Sequence, residues 1–256
     1  MLAANRAPHY AYGYLIGALF YALLWVILFW RRSDLRREML VMSALSVAYG
    51  LPHEYFLWTR DWWHPPTITA TRIGLEDLLY AIGNGGVLAV VYAVVFRRQL
   101  EPIKQTSSLT LRLLPYAING LLPPLLVAVA GMHSFLASSA GALLALACLL
   151  RLRPDLARLA IGSALLGTVA SLPFYWLMEA ALPGFIEATW YLNRLSGVLI
   201  LHIPLEDVLW YLYTGALWGT YYKLLTGARV VPRHRTMPQV IQPSLPTRSA
   251  RKHGVL

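Results

Sequence analysis

Two adjacent carboxylates stand at the start of a long apolar run near the C-terminus, in His202-Ile203-Pro204-Leu205-Glu206-Asp207-Val208-Leu209-Trp210-Tyr211. The same Leu-Glu-Asp recurs upstream in Arg72-Ile73-Gly74-Leu75-Glu76-Asp77-Leu78-Leu79-Tyr80. An acidic residue at the centre of a membrane helix costs roughly 3 kcal/mol, so an intramembrane acid is by default a functional group. Desolvation and a neighbouring like charge both favour the neutral form of a carboxyl. A neutral acid in a dry site can donate a proton to an apolar substrate. Glu206, Asp207, Glu76 and Asp77 are therefore the candidate catalytic acids. Successive residues on a helix point about 100° apart, so one acid of each pair can face the bundle interior while the other faces a neighbouring helix or the headgroups. The sequence leaves open which is which. A plainer role is also available, because acids in the first turns of a helix answer its macrodipole by up to about 1 kcal/mol. The pair's appearance in both halves of the chain favours the functional role.

Other polar and aromatic residues belong to the same layer. Pro52-His53-Glu54-Tyr55 places a possible base or orienter near the acids, and its counterpart is Pro173-Phe174-Tyr175-Trp176 with Glu179 one turn beyond. Each proline is expected to break its helix and free backbone carbonyls. With His53 and Glu54, the residues flanking the acids (Tyr80, Pro204, Trp210 and Tyr211) are the candidate substrate-binding set. Trp210, Tyr211, Tyr213, Trp218, Tyr221 and Tyr222 surround the second pair; their π faces could stabilise a carbocation or simply pack. Trp62, Trp63 and His64 read as an aromatic belt at the membrane interface or as part of a lid. Gly215 and Gly219 form a small-xxx-small pair suited to close helix packing, and Asn84-Gly85-Gly86 does the same upstream. Gly83-Asn84-Gly85-Gly86 has neither the spacing nor the preceding strand of a dinucleotide fingerprint.

The elements that must position these residues are membrane helices. The 256 residues are 57% hydrophobic and 13% charged, against about 25% charged in a soluble domain. Seven apolar runs approach the roughly 20 residues that cross a bilayer: 10–30, 39–58, 75–96, 111–130, 134–150, 158–180 and 200–222. The first is too long for a signal-peptide core and ends in Phe29-Trp30-Arg31-Arg32 with no cleavage site. The fourth and fifth are separated only by 130–134, and Pro123-Pro124 is expected to kink the fourth. The net charge of +10 could suggest nucleic acid, but its basic residues cluster after runs one, three, five and seven. That is the positive-inside pattern: a multi-pass cell-membrane protein with its N-terminus outside, an odd number of spans and a cytoplasmic C-terminus. Asp34, Glu38, Glu101 and Asp155 then fall in cytoplasmic loops as solvated charges, and the other eight acids lie on the outer side. The single Cys148 excludes an intrachain disulfide and a thiolate cluster, and no metal or cofactor is expected.

A repeat organises the spans. Arg32-Ser33-Asp34-Leu35 matches Arg153-Pro154-Asp155-Leu156, and Leu51-Pro52 matches Leu172-Pro173, both at an offset of 121. Glu76-Asp77 matches Glu206-Asp207, and Gly85 matches Gly215, at an offset of 130. The expected fold is an all-α integral membrane protein of seven helices: repeat one at 10–96, a linker span at 111–130 and repeat two at 134–225. The linker restores orientation, so the three-helix repeats are parallel, as in some transporters. Residues 226–256 read as a disordered basic tail.

Ile203-Pro204-Leu205 followed by two acids and an aromatic-rich helix resembles the signature of the membrane-embedded lycopene cyclases, the bacterial heterodimeric type and the fused archaeal and fungal type. Trp62-Trp63-His64-Pro65 before the first pair is similar too. The resemblance is to the fused form and covers roughly residues 10–225. Gly74 stands where that family usually has proline, Asp is the second acid in both pairs where Glu is commoner, and the loop 181–198 is longer than typical. The resemblance implies cyclisation of the linear ψ end groups of lycopene or a related carotenoid into β or ε rings, without net redox. It implies a lipid-soluble substrate, membrane lipids and other carotenoid-pathway enzymes as partners, and no nucleic acid. Another membrane isoprenoid cyclase is the near alternative, and two other classes fit the residues: a proton-coupled transporter, which parallel repeats and intramembrane acids also suit, and an assembly or sensory membrane protein. Against a transporter, no basic residue is expected deep in a span, and the acids form one outer layer rather than a path.

Overall fold

The computed structural model describes residues 10–104 and 107–233. Seven long helices carry the chain: α1 (Ala11–Arg31), α2 (Arg36–His53), α4 (Leu75–Val95), α5 (Leu109–Ala130), α6 (Ser134–Leu152), α7 (Ala157–Ala181) and α9 (Leu205–Thr226). Two short helices, α3 (Thr59–Asp61) and α8 (Phe185–Thr189), lie in the connections after α2 and α7. Five of the long helices, α1, α4, α5, α6 and the segment Pro154–Ala181 containing α7, are long and apolar enough to cross a bilayer. The other two carry more charge and more polar aromatic surface: α2 has Arg36, Arg37 and Glu38, and α9 has Glu206, Asp207 and Lys223. The boundary between α5 and α6 falls where the short 130–134 gap suggests. Gly131 ends α5 in the left-handed region (φ +62°), and α6 begins at Ser134.

Helices α4 and α9 form the centre, each buried on most sides. They pack against each other and are flanked by α1, α2, α6 and α7. Close approach explains their small residues. A Cβ on Gly85 would come within 2.8 Å of the Met42 carbonyl on α2, and one on Gly215 within 2.8 Å of the Ser163 carbonyl on α7. Outward faces are apolar: Leu121 is 71% exposed and Val129 78% exposed. Such a band is what a lipid-facing surface presents, since a water-soluble monomer rarely shows contiguous apolar patches of this extent.

At the Arg-rich end, two clamps tie helix ends together. The Arg32 guanidinium grips Asp34 and donates to the Ala93 and Arg98 carbonyls. The Arg153 guanidinium grips Asp155 and donates to the Lys223 and Ala228 carbonyls. Each guanidinium holds its aspartate below the ordinary carboxylate range. The acceptors keep the two sequence offsets, 121 for Arg and Asp and 130 for the carbonyls. The strand β1 (Arg98–Pro102) pairs antiparallel with β4 (Ala228–Pro232) over this end. At the opposite end β2 (Leu199–Ile200) and β3 (Ile203–Pro204) form a two-residue ribbon leading into α9.

Four expectations are corrected. Glu38 is not a solvated loop charge: it is fully buried and paired with Lys223 of α9, whose ammonium also donates to the Ala89 and Gly219 carbonyls. By the same contact, α9 does carry a buried basic residue, neutralised at once by Glu38. The tail does not begin at 226, because α9 reaches Thr226 and β4 follows; its remainder, 234–256, lies outside the described residues. The prolines do not act alike. α2 ends at His53, just past Pro52, and continues as a π-helical turn, Glu54–Trp58, whereas α7 runs through Pro173 to Ala181. Below Pro52 the Tyr49 carbonyl takes the His53 imidazole at 2.7 Å; below Pro173 the Ser171 hydroxyl donates to the Thr168 carbonyl at 2.7 Å.

Breaking a buried ion pair by removing one partner strands the other charge, so Lys223→Met is expected to cost about 3–5 kcal/mol. Glu38→Met combined with Lys223→Met should recover most of that loss in thermal unfolding in detergent; a double variant as unstable as the single one would refute the ion-pair account. The clamps have a defined pH sign. Asp34 and Asp155 are depressed in the fold, so their stabilisation is present above the unfolded carboxylate value, about 3.9, and lost as pH falls through their lower folded values. Unfolding midpoints of the protein and of its Asp34→Asn/Asp155→Asn variant should converge on acidification.

Candidate active site

The two Glu-Asp pairs divide in the same way. All four carboxylates are buried. Glu76 accepts the Ile68 N–H at 2.6 Å, and Glu206 accepts the Ser196 N–H at 2.7 Å. Each glutamate thus holds the loop that precedes its helix, and in each the second oxygen has no hydrogen-bond partner. The aspartates, one residue on and turned by about 100°, line internal cavities instead. Asp77 accepts the Gly74 N–H at 2.7 Å, capping α4, and the Tyr14 hydroxyl at 2.9 Å. Asp207 accepts the Tyr175 hydroxyl at 3.0 Å, the Trp190 indole at 2.8 Å and the Trp62 indole at 3.4 Å.

Asp77 and Glu54 line one chamber, with Tyr14, Tyr49 and Asn84 around them. Asp207 lines a second, with Trp62, Trp63, Phe174, Tyr175 and Trp190. Trp58, Tyr80 and Trp210 belong to the walls of both. The chambers are narrow, about 20 and 30 Å³, room for a water molecule or two. The second is lined by aromatic rings apart from Asp207, whereas the first adds Ser46, Gly50, Leu51, Ala81 and Asn84 to its aromatic residues and acids. Trp58 and Trp210 meet edge to face at 6.0 Å, and the Tyr80 and Tyr211 hydroxyls share a hydrogen bond of 2.7 Å. The Trp63 indole, from the second chamber, donates to Glu54 of the first at 3.2 Å.

Of the candidate binding residues, Glu54, Tyr80 and Trp210 line the chambers. Tyr211 stands behind Tyr80, fully buried. His53 is buried off both chambers, its ring against Tyr49 at 4.2 Å and its Nε2 without a partner. Pro204 is the N-cap of α9 and pairs with Leu199; its contribution is to the start of the helix. Trp62 and Trp63 are not an interfacial belt. Both are buried, and the backbone of this loop is pinned to the other outer loop: Tyr191 N–H donates to the Trp62 carbonyl and His64 N–H to the Thr189 carbonyl, both at 2.9 Å. Among the wall residues that escaped the sequence reading as site residues are Tyr14, Trp58, Tyr175 and Trp190. They come from α1, the π-helical turn, α7 and the loop after α8. Their one sequence signal is being aromatic in a chain full of aromatics. Among the described residues no group of His, Cys, Asp and Glu could hold a metal ion.

Compared with known protein families, residues 133–225 match the family described as lycopene cyclase. No curated protein and no solved structure matches the chain. The segment from α6 to α9, with Glu206 and Asp207, is therefore the part of the chain that is similar to the lycopene cyclase family. Helices α1 to α5, with Glu76 and Asp77, lie outside the matched residues. Among the described residues five helices are apolar and long enough to span a bilayer, which together with the family match points to a membrane protein.

The unequal division of the acids can be read by amide hydrogen exchange. Glu76→Gln and Glu206→Gln should raise exchange at Ile68 and Ser196 respectively, by about tenfold for each 1.4 kcal/mol of lost local stability. Asp207→Asn should leave Ser196 unchanged.

Proposed function

We propose that the protein is a membrane carotenoid cyclase that closes the linear ψ end groups of lycopene, or of a related carotenoid, into rings. The observation that carries this reading is the repeated split of the Glu-Asp pairs. Each sends its aspartate into an aromatic chamber, and the two chambers share Trp58, Tyr80 and Trp210. In this reading all seven long helices span the membrane as two parallel three-helix repeats joined by α5. The matched Arg clamps and the matched Gly85 and Gly215 contacts support the repeat. The positive-inside distribution supports an outer N-terminus and a cytoplasmic C-terminus.

Ring closure needs a proton delivered, a cation sheltered and a proton removed. An aspartic carboxyl gives up its O–H proton to the terminal double bond of the end group, leaving a tertiary cation. The π electrons of a nearby double bond in the same chain attack that cation and form the carbon–carbon bond of a six-membered ring. The new cation loses a proton from an adjacent carbon, to a carboxylate, and a double bond is restored. Substrate and product have the same atoms and the same oxidation level. Asp77 and Asp207 are the proton-transfer groups in this scheme, with Glu54 beside Asp77 in the same chamber. The faces of Trp58, Tyr80 and Trp210 shelter the cation, and the aromatic and apolar walls limit the water that could trap it. Glu76 and Glu206 hold the outer loops over the chambers, and Tyr14 and Tyr175 orient the aspartates. An isoprenoid end group is larger than either chamber, so binding requires the shared Trp58, Tyr80 and Trp210 to move and merge them. A transporter reading has less support, since the acids are enclosed by rings and do not follow a path across the bundle.

Expression in cells that accumulate lycopene tests the proposal. Ring closure twists the terminal double bonds out of conjugation, so extracted pigment should absorb at shorter wavelength. Unchanged pigment from well-inserted protein would rule out lycopene as substrate. Asp77→Asn and Asp207→Asn should each lose at least about 10²-fold in rate, the usual scale of general acid–base catalysis, while remaining in the membrane. Full activity in both variants would overturn the assigned roles.

A further inference from the structure

A third cavity lies at the other end of the molecule, under the β1–β4 ribbon. It is far roomier than the chambers, about 240 Å³, and its wall includes Tyr92, Arg98, Asp155, Arg158 and Arg229. Its electrostatics are one-sided. Asp155, the one acid in its wall, is held by the guanidinium of Arg153 at 2.7 Å. Arg229 is paired with Glu101 at 3.0 Å. Among the described residues, Arg98 of β1 and Arg158 in the first turn of α7 have no carboxylate partner. Two uncompensated guanidiniums therefore border one cavity, and the positive end of the α7 dipole adds to them.

The wall is also held in shape. Arg98 and Arg229 are carried by the ladder in which Arg98 pairs with Pro232 and Glu101 with Arg229. The Tyr92 ring lies over α7 at Gly162, one turn beyond Arg158, where a Cβ would come within 2.5 Å of the ring. Glycine at this position lets the Tyr92 side chain lie down on the helix.

We propose that this cavity binds a phosphate-bearing anion. Guanidinium groups match phosphate oxygens in charge and in fork geometry. The cavity opens at the Arg-rich end of the bundle, which the proposed topology places at the cytoplasmic leaflet. Two sources share the chemistry: the headgroup of an anionic phospholipid, and a soluble phosphate or diphosphate ester. The binding claim is independent of the cyclase reading, because neither the acids nor the chambers take part in it.

Full-length protein, purified in detergent and exposed to an equimolar mixture of phosphatidylglycerol and phosphatidylcholine, is examined by native mass spectrometry. The expected result is one phosphatidylglycerol retained in preference to phosphatidylcholine. Arg98→Gln/Arg158→Gln should reduce that retention at least fivefold, and Arg31→Gln/Arg37→Gln, which removes the same charge elsewhere, should not. In a second arm, delipidated protein is titrated with inorganic phosphate and with pyrophosphate while its thermal midpoint is followed. A shift that disappears in Arg98→Gln/Arg158→Gln, with no lipid preference in the first arm, assigns the site to a soluble ester. Equal losses in both double variants, or no dependence on Arg98 and Arg158 in either arm, would overturn the proposal.

Discussion

Charge taken into an apolar bundle must be answered by donors or by opposite charge, and this constraint shapes the molecule at both ends. At the Arg-rich end the answers are ionic. Arg32 and Arg153 grip their own aspartates and, with the rest of each guanidinium, the carbonyls at the ends of α4 and α9. Lys223 and Glu38 neutralise each other between α9 and α2. At the other end, among the described residues, the two Glu-Asp pairs form no salt bridge. They are met by neutral donors: backbone N–H groups, tyrosine hydroxyls and tryptophan indoles. Neutral donors fix a carboxyl in place without an ion pair, which in the proposed reaction leaves its proton free for transfer.

The adjacency of Glu and Asp acquires its meaning from helix geometry. A turn of about 100° between neighbours sends one side chain up to the loop and the next into the bundle. The loops so held are the ones that deliver Trp62, Trp63 and Trp190 to the second chamber. Holding the loop and forming the site are thus two results of one dipeptide at each helix start. The two outer loops are further pinned to each other between Trp62 and Tyr191 and between His64 and Thr189.

The centre depends on the small residues of α4 and α9. With hydrogen at Gly85 and Gly215, α2 and α7 approach until carbonyls stand where a Cβ would be. The two central helices, carrying Asp77 and Asp207, themselves lie near enough for Tyr80 and Tyr211 to share a hydrogen bond. The chambers meet because the two central helices do.

By itself the sequence determined the positions of the seven long helices, the paired acids and the matched offsets. These follow from local facts: runs of apolar residues, repeated polar landmarks, and the expense of charge in a nonpolar medium. It also determined the resemblance to a family whose model residues 133–225 match. The tertiary structure alone decided which acid of each pair faces a cavity, because that depends on where the bundle lies relative to the helix start. It decided that Glu38 is buried against Lys223, a contact between α2 and α9 that no local pattern encodes. It decided too that Tyr14, Trp58, Tyr175 and Trp190 matter at the site. Aromatic residues fill this chain, and only packing separates those that donate to an acid or wall a chamber from those that fill space.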